Sequence, residues 1–122
     1  MLLRIFIVLF VIFCIGAIVY YLFPPVQVCG RSMYPTYRDD TILLTTRCFL
    51  DYKPGEVYVY DREDEDGNHK SVIKRLHDVT MQDNECYLYF LGDNTEGSFD
   101  SRHYGYVHHS KVMLKVVKVL KY

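Results

Sequence analysis

From Ile5 to Phe23 the sequence runs without a single charged side chain, opening on Ile5-Phe6-Ile7 and closing on Tyr20-Tyr21-Leu22-Phe23. About 20 predominantly apolar residues carry an α-helix across the hydrocarbon core of a bilayer. The run is therefore read as one transmembrane helix. A cleaved secretory signal has a shorter apolar core and small residues ahead of its cleavage site. Here the run leaves through Phe23-Pro24-Pro25-Val26 with no A-x-A pattern, which predicts a permanent anchor. Arg4 and the terminal amine precede it, and cationic flanks tend to stay in the cytoplasm. Tyr20 and Tyr21 lie near the far end, where tyrosine suits the membrane interface. Residues 1–23 are thus expected to be the anchor, and residues 24–122 one small extracytoplasmic domain.

After the anchor, Pro24-Pro25 should stop the helix and act as a short stiff hinge. Beyond it the chain breaks into short apolar runs separated by turn residues, the pattern of strands. The expected strands are 26–29, 41–45, 56–60, 72–76, 86–91 and a closing strand over 112–120. Residues 61–67 carry five acidic side chains and read as a solvated hairpin loop, with a second polar loop at Gln82-Asp83-Asn84. No helical period appears outside the membrane run, so the domain is expected to be all or mostly β.

Composition narrows the functions. A net charge of −1 gives no basic field for nucleic acid. Cys14 lies inside the membrane run, which leaves Cys29, Cys48 and Cys86 outside. At most one disulfide can form among those three, and spacing does not choose it. There is no C-x-x-C or H-E-x-x-H pattern, so no metal and no cofactor are expected.

The chemistry sits elsewhere. A serine hydroxyl is a weak nucleophile until a neighbour takes its proton, and a lysine does so only when neutral. Burial favours the neutral amine. Ser32 lies in the turn-like stretch Gly30-Arg31-Ser32-Met33-Tyr34-Pro35-Thr36. Lys74 lies in Ser71-Val72-Ile73-Lys74-Arg75-Leu76, where strand alternation puts it on one face with Val72 and Leu76. A third segment holds Gly92-Asp93-Asn94, then Ser98, Asp100-Ser101-Arg102 and Gly105.

The ordered set G-x-S-M-x-P-T, K-R and G-D-N-x-x-x-S-x-D-S-R-x-x-G resembles the type I signal peptidases, membrane-anchored serine proteases with a serine/lysine dyad. It covers roughly residues 26 to 110, and the glycine at position 30 resembles the compact Gram-positive branch. The resemblance implies a small β catalytic domain in which Ser32 is the nucleophile and Lys74 the general base. It implies that Ser98 orients the lysine amine, and that Asp100 and Arg102 form an ion pair beneath the site. Asp93, Asn94 and Ser101 support the same loop. The Ser32 backbone amide would be one oxyanion donor. Many relatives place a second donor, a serine hydroxyl, where this chain has Gly30, so that donor stays open. His77, His103, His108 and His109 have no motif placing them at the site and read as surface residues; relatives with histidine in place of the lysine are archaeal or from the endoplasmic reticulum.

An extended peptide is expected between the strand entering Gly30 and the strand holding Lys74, by β-augmentation. Val28 and Ile73 are candidate pocket residues, and equally plain core. The family usually continues after lysine-arginine with V-I-G-L-P-G-D and a β-rich insertion. Here Leu76-His77-Asp78-Val79 follows and Gly92 comes soon after, as in a trimmed core. The implied partners are preprotein signal peptides, the lipid bilayer and the secretion translocon. The implied location is the cell membrane, ahead of the mitochondrial inner membrane. Two other readings stand beside it. One is a self-cleaving serine/lysine protease of the LexA-repressor type, disfavoured by the anchor and by the lack of a DNA-binding region. The other is a non-catalytic, membrane-tethered β module assisting surface or pilus assembly, which would need neither Ser32 nor Lys74.

Overall fold

A computed structural model of the protein describes residues 1–122. Helix α1 spans Leu2–Leu22, followed by strands β1 (Pro25–Gln27), β2 (Ile42–Thr46), β3 (Val57–Glu63), β4 (His69–Gln82) and β5 (Glu85–Leu91). A short helix α2 (Ser101–Tyr104), β6 (Val107–His108) and β7 (Val112–Lys121) complete the chain. The strands form one antiparallel sheet in the order β1-β2-β7-β3-β4-β5-β6. The domain is mostly β, with α2 and a 3-10 turn at His109–Lys111 as its helical parts. α2 escaped the sequence pattern because one turn is too short to show a period.

α1 has 21 residues and buries none of them, and it is long and apolar enough to cross a membrane. Its junction with the sheet differs from the expected hinge. The last carbonyls of a helix lack partners within it, and Arg47, the residue after β2, supplies donors to them. Arg47 N donates to Leu22 O at 2.9 Å, and Arg47 Nε donates to Tyr21 O at 2.8 Å. The Arg47 guanidinium also sits 4.6 Å from the centre of the Tyr21 ring. Thr45 donates to Pro24 O through its backbone N–H (3.3 Å) and its hydroxyl (2.5 Å). Pro25 opens β1, paired with Leu44. The prolines are stitched into the sheet. Replacing Arg47 with alanine should broaden the distance distribution between spin labels on α1 and on β3, with the domain still folded. An unchanged distribution would show that the guanidinium does not hold the junction.

β3 carries the alternation Val57-Tyr58-Val59-Tyr60, and all four side chains are buried. Its neighbours β7 and β4 close both edges, and a cluster covers each face. On one face Val57 packs with Val28, Met33, Leu43 and Val116. On the other, Tyr58 and Tyr60 pack with Leu76, Leu88 and Phe90. β7, the expected last strand, lies between β2 and β3, and its apolar residues feed the first cluster.

The two polar loops are tighter than expected. Asp61 and Glu63 belong to β3, and the turn itself is set by Asp64, whose Oδ1 accepts from Asp66 N (3.0 Å) and Asn68 N (2.9 Å). Asp83 and Asn84 take left-handed φ values of 53° and 65°, the signature of a two-residue hairpin turn. The short interval between Lys74 and Gly92 is therefore the β4–β5 hairpin. β5 joins β4 only from Arg75 onward. His69 to Lys74 thus have β3 on one side and no strand on the other.

Candidate active site

The structure brings Ser32 and Lys74 together from positions 42 residues apart, with Lys74 Nζ donating to Ser32 Oγ at 2.9 Å. Lys74 is held by its place on β4. It stands opposite Tyr58 and is only 5% exposed. Its amine also donates to the carbonyl of Ile73 at 3.2 Å. Desolvation pushes its pKa below the ordinary lysine value; the Asp100 charge opposes that shift and the Arg62 charge adds to it. A neutral amine in this position can take the Ser32 proton across the same contact.

Ser32 sits on the loop that follows β1. Gly30 has φ +95°, a left-handed conformation suited to glycine, and its N–H donates to Asp39 Oδ1 at 2.8 Å. That N–H is therefore engaged. The Ser32 N–H makes no hydrogen bond within the chain and remains an available donor.

Beneath the pair, Asp100 organises the third segment. Its side chain is wholly buried. Oδ2 accepts from Gly92 N (2.8 Å), Ser98 Oγ (2.8 Å) and Arg102 Nη2 (2.6 Å). Oδ1 accepts from Arg102 Nε (2.9 Å) and Arg102 N (3.1 Å). Burial alone would raise its pKa, but the hydrogen bonds from Arg102, Gly92 and Ser98 outweigh that and hold it far below the usual carboxylate range. Asp100 also caps α2, and His103 reciprocates by accepting from Asp100 N through Nδ1 at 3.2 Å. Ser101 Oγ accepts from Phe90 N at 2.9 Å and ties the helix to β5. Ser98 gives its hydroxyl hydrogen to Asp100 and makes no hydrogen bond with Lys74. Asp100, which touches Lys74 only through its field, links the two.

Asp93 and Asn94 fasten the Ser32 loop to this segment. Asn94 N donates to Ser32 O at 2.9 Å and Asn94 Nδ2 to Arg31 O at 3.0 Å. Asp93 takes a two-pronged ion pair from Arg75, at 2.9 and 2.7 Å. Burial raises the Asp93 carboxyl, yet its hydrogen bonds to Arg75 and Thr36 bring it below the usual range. Arg75 was not singled out from sequence beyond the K-R motif, although its alternation onto the face opposite Lys74 was visible there. Gly92 also lacked an assigned role. A side chain at Gly92 would overlap Ser98 and lie 2.7 Å from the Ser32 carbonyl, so the two loops meet at a position with room only for hydrogen.

A groove of about 290 Å³ runs from this pair between β1 and β4, lined by Val28, Cys29, Ser32, Val59, Ile73 and Lys74 among others. Val28 is both core and groove wall, being 3% exposed in the first cluster, and Ile73 packs on that cluster while lining the groove. Cys14, Cys29, Cys48 and Cys86 are all free thiols. Among the histidines set aside as surface residues, His103 caps α2 and stacks on Phe99 at 4.8 Å. No protein-family model matches the chain, and no curated protein matches it at a significant level.

Proposed function

We propose that this chain is a membrane-anchored serine endopeptidase that removes amino-terminal signal peptides from exported preproteins, with Ser32 as nucleophile and Lys74 as general base. The observation that carries the reading is the 2.9 Å contact between a buried lysine amine and a serine hydroxyl at the head of an open groove. Ser32 Oγ attacks the scissile carbonyl while its proton passes to Lys74 Nζ. The resulting ammonium gives that proton to the leaving amine, and a water activated by the same lysine then hydrolyses the ester. The free Ser32 N–H supplies one donor to the oxyanion.

The choice of substrate rests on the resemblance to type I signal peptidases and on three features of the chain. The groove is bounded by β1 and by the unpaired edge of β4, so an extended peptide can bond to backbone there. Val28 and Ile73 narrow its wall, which suits small side chains such as alanine. With α1 across a bilayer, amino terminus inside, the groove shares the surface where a signal peptide's own helix ends, and this raises the local concentration of the cleavage site. The cell membrane is the proposed location, with the translocon as neighbour.

Incubating the detergent-solubilised chain with a preprotein and sequencing the new amino terminus tests the reading. Cleavage after a small residue, lost in the Ser32→Ala variant, is the expected result. Processing that survives Ser32→Ala, or none by the unsubstituted chain, would favour the non-catalytic β module.

A further inference from the structure

Glu85, the first residue of β5, is met by two consecutive histidines. Nε2 of His108 lies 2.6 Å and Nε2 of His109 3.1 Å from Glu85 Oε2. The three ligand atoms lie within 4.8 Å of one another. Consecutive residues on a strand point to opposite faces. Here β6 ends at His108 and the chain enters the 3-10 turn His109–Lys111, which swings the second ring back beside the first. Their centroids are 4.4 Å apart. Tyr87 stands opposite His108 in the β5–β6 register and packs edge-on against its ring at 5.2 Å.

We propose that Glu85, His108 and His109 form a binding site for one divalent transition cation of the Zn²⁺ class. Bonds of about 2.0–2.2 Å in a tetrahedral shell put neighbouring ligands roughly 3.4 Å apart. The two Glu85–histidine separations, 2.6 and 3.1 Å, need to open by less than an ångström, and the side chains are between a third and half exposed, so they can move. Two imidazoles and one carboxylate suit Zn²⁺ and its late first-row neighbours. Mg²⁺ and Ca²⁺ prefer all-oxygen shells. Water completes the coordination. The ion takes the place of the hydrogens that the two rings now share with Glu85. His108 then carries its hydrogen on Nδ1, where Ser110 Oγ accepts it from 2.8 Å. This hydrogen bond fixes the ring, while the Ser110 N–H that now points at Nδ1 from 3.2 Å is released to solvent. The neighbourhood gives the ion a purpose. β6 is held to β5 by only two residue pairs, so the ion would clip the outermost strand to the sheet.

The test uses the full chain in detergent, stripped with a chelator and titrated with ZnCl₂ in a calorimeter, with MgCl₂ in parallel. One equivalent of Zn²⁺ should bind and raise Tm, while Mg²⁺ does neither. Glu85→Gln and His108→Asn should each weaken binding by about 100-fold, and Ser110→Ala by about 10-fold. Co²⁺ on the unsubstituted chain gives an independent readout that no folding defect can mimic. A visible spectrum of nitrogen and oxygen ligation supports the site. An intense thiolate charge-transfer band would assign the ion to the cysteines and overturn it. So would the absence of stoichiometric Zn²⁺ binding, or binding undiminished in both ligand variants.

Discussion

Replacing Lys74 with methionine should reduce preprotein cleavage by about 10⁴-fold or more and, at the same time, make the folded domain more stable at neutral pH. The two effects share one cause. Burial lowers the folded-state pKa of Lys74 below its ordinary value. Between the folded and unfolded values the unfolded chain binds more protons, so stability contributed by this group rises with pH. Below the folded value both states are protonated, and the penalty for the buried ammonium is present in full. Methionine has similar length, fills the space opposite Tyr58 and carries no charge, so it removes the penalty together with the base. The stability gain of the variant should therefore be largest in acid and shrink as the pH climbs towards the lysine value of 10.5. Thermal unfolding across that range reads it. Wild-type cleavage should rise with pH along the fraction of neutral Lys74, with its midpoint below the ordinary lysine value. A Lys74→Met chain that still cleaves, or one destabilised equally at every pH, would remove the lysine from the chemistry.

The second large effect belongs to Asp100. Asp100→Ala withdraws the acceptor shared by Gly92 N, Ser98 Oγ and Arg102, and buried donors left unpaired are costly. The loss of stability should be about 3–5 kcal/mol, a fall in Tm on the order of 15 °C for a domain of this size. The sign with pH is opposite to that of Lys74. Asp100 has a depressed folded pKa, so its contribution is fully present above the ordinary carboxylate value. It is lost only as the pH falls through the folded value. Wild type and variant should thus differ by a constant amount at neutral pH and converge in strong acid. Any folded Asp100→Ala protein should also show the cleavage midpoint moved to lower pH, because the charge that opposes the Lys74 shift is gone. A variant that keeps its Tm would mean the carboxylate is solvated.

How far the sequence spoke for this arrangement varies from element to element. α1 was legible because an uncharged run has few other uses, and β3 because valine and tyrosine alternate at strand period. Lys74 on a buried strand face could be read from Val72 and Leu76 alone. Its meeting with Ser32 could not, since nothing local ties a loop after β1 to a residue on β4. The ordered motifs alone suggested the pair. A still longer separation hid the partners of Asn94, whose bonds to Arg31 and Ser32 cross more than half the chain. Gly92 was quoted within a motif, but its reason, the Ser32 carbonyl and Ser98 pressed against it, exists only once both loops are folded. The place of β7 inside the sheet and the reuse of α1 carbonyls by Arg47, just past β2, were likewise beyond local pattern.

The bonds from Arg47 to the last carbonyls of α1 and from Thr45 to Pro24 just beyond it turn the helix into a lever. In a bilayer thinner than its apolar length, such a helix leans. A domain swinging on loose prolines would ignore that lean, whereas this sheet must rotate with it and carry its cleft along. In the proposed endopeptidase, lipid thickness would then adjust how squarely the Ser32 cleft meets an incoming chain, with no change in any side chain around it.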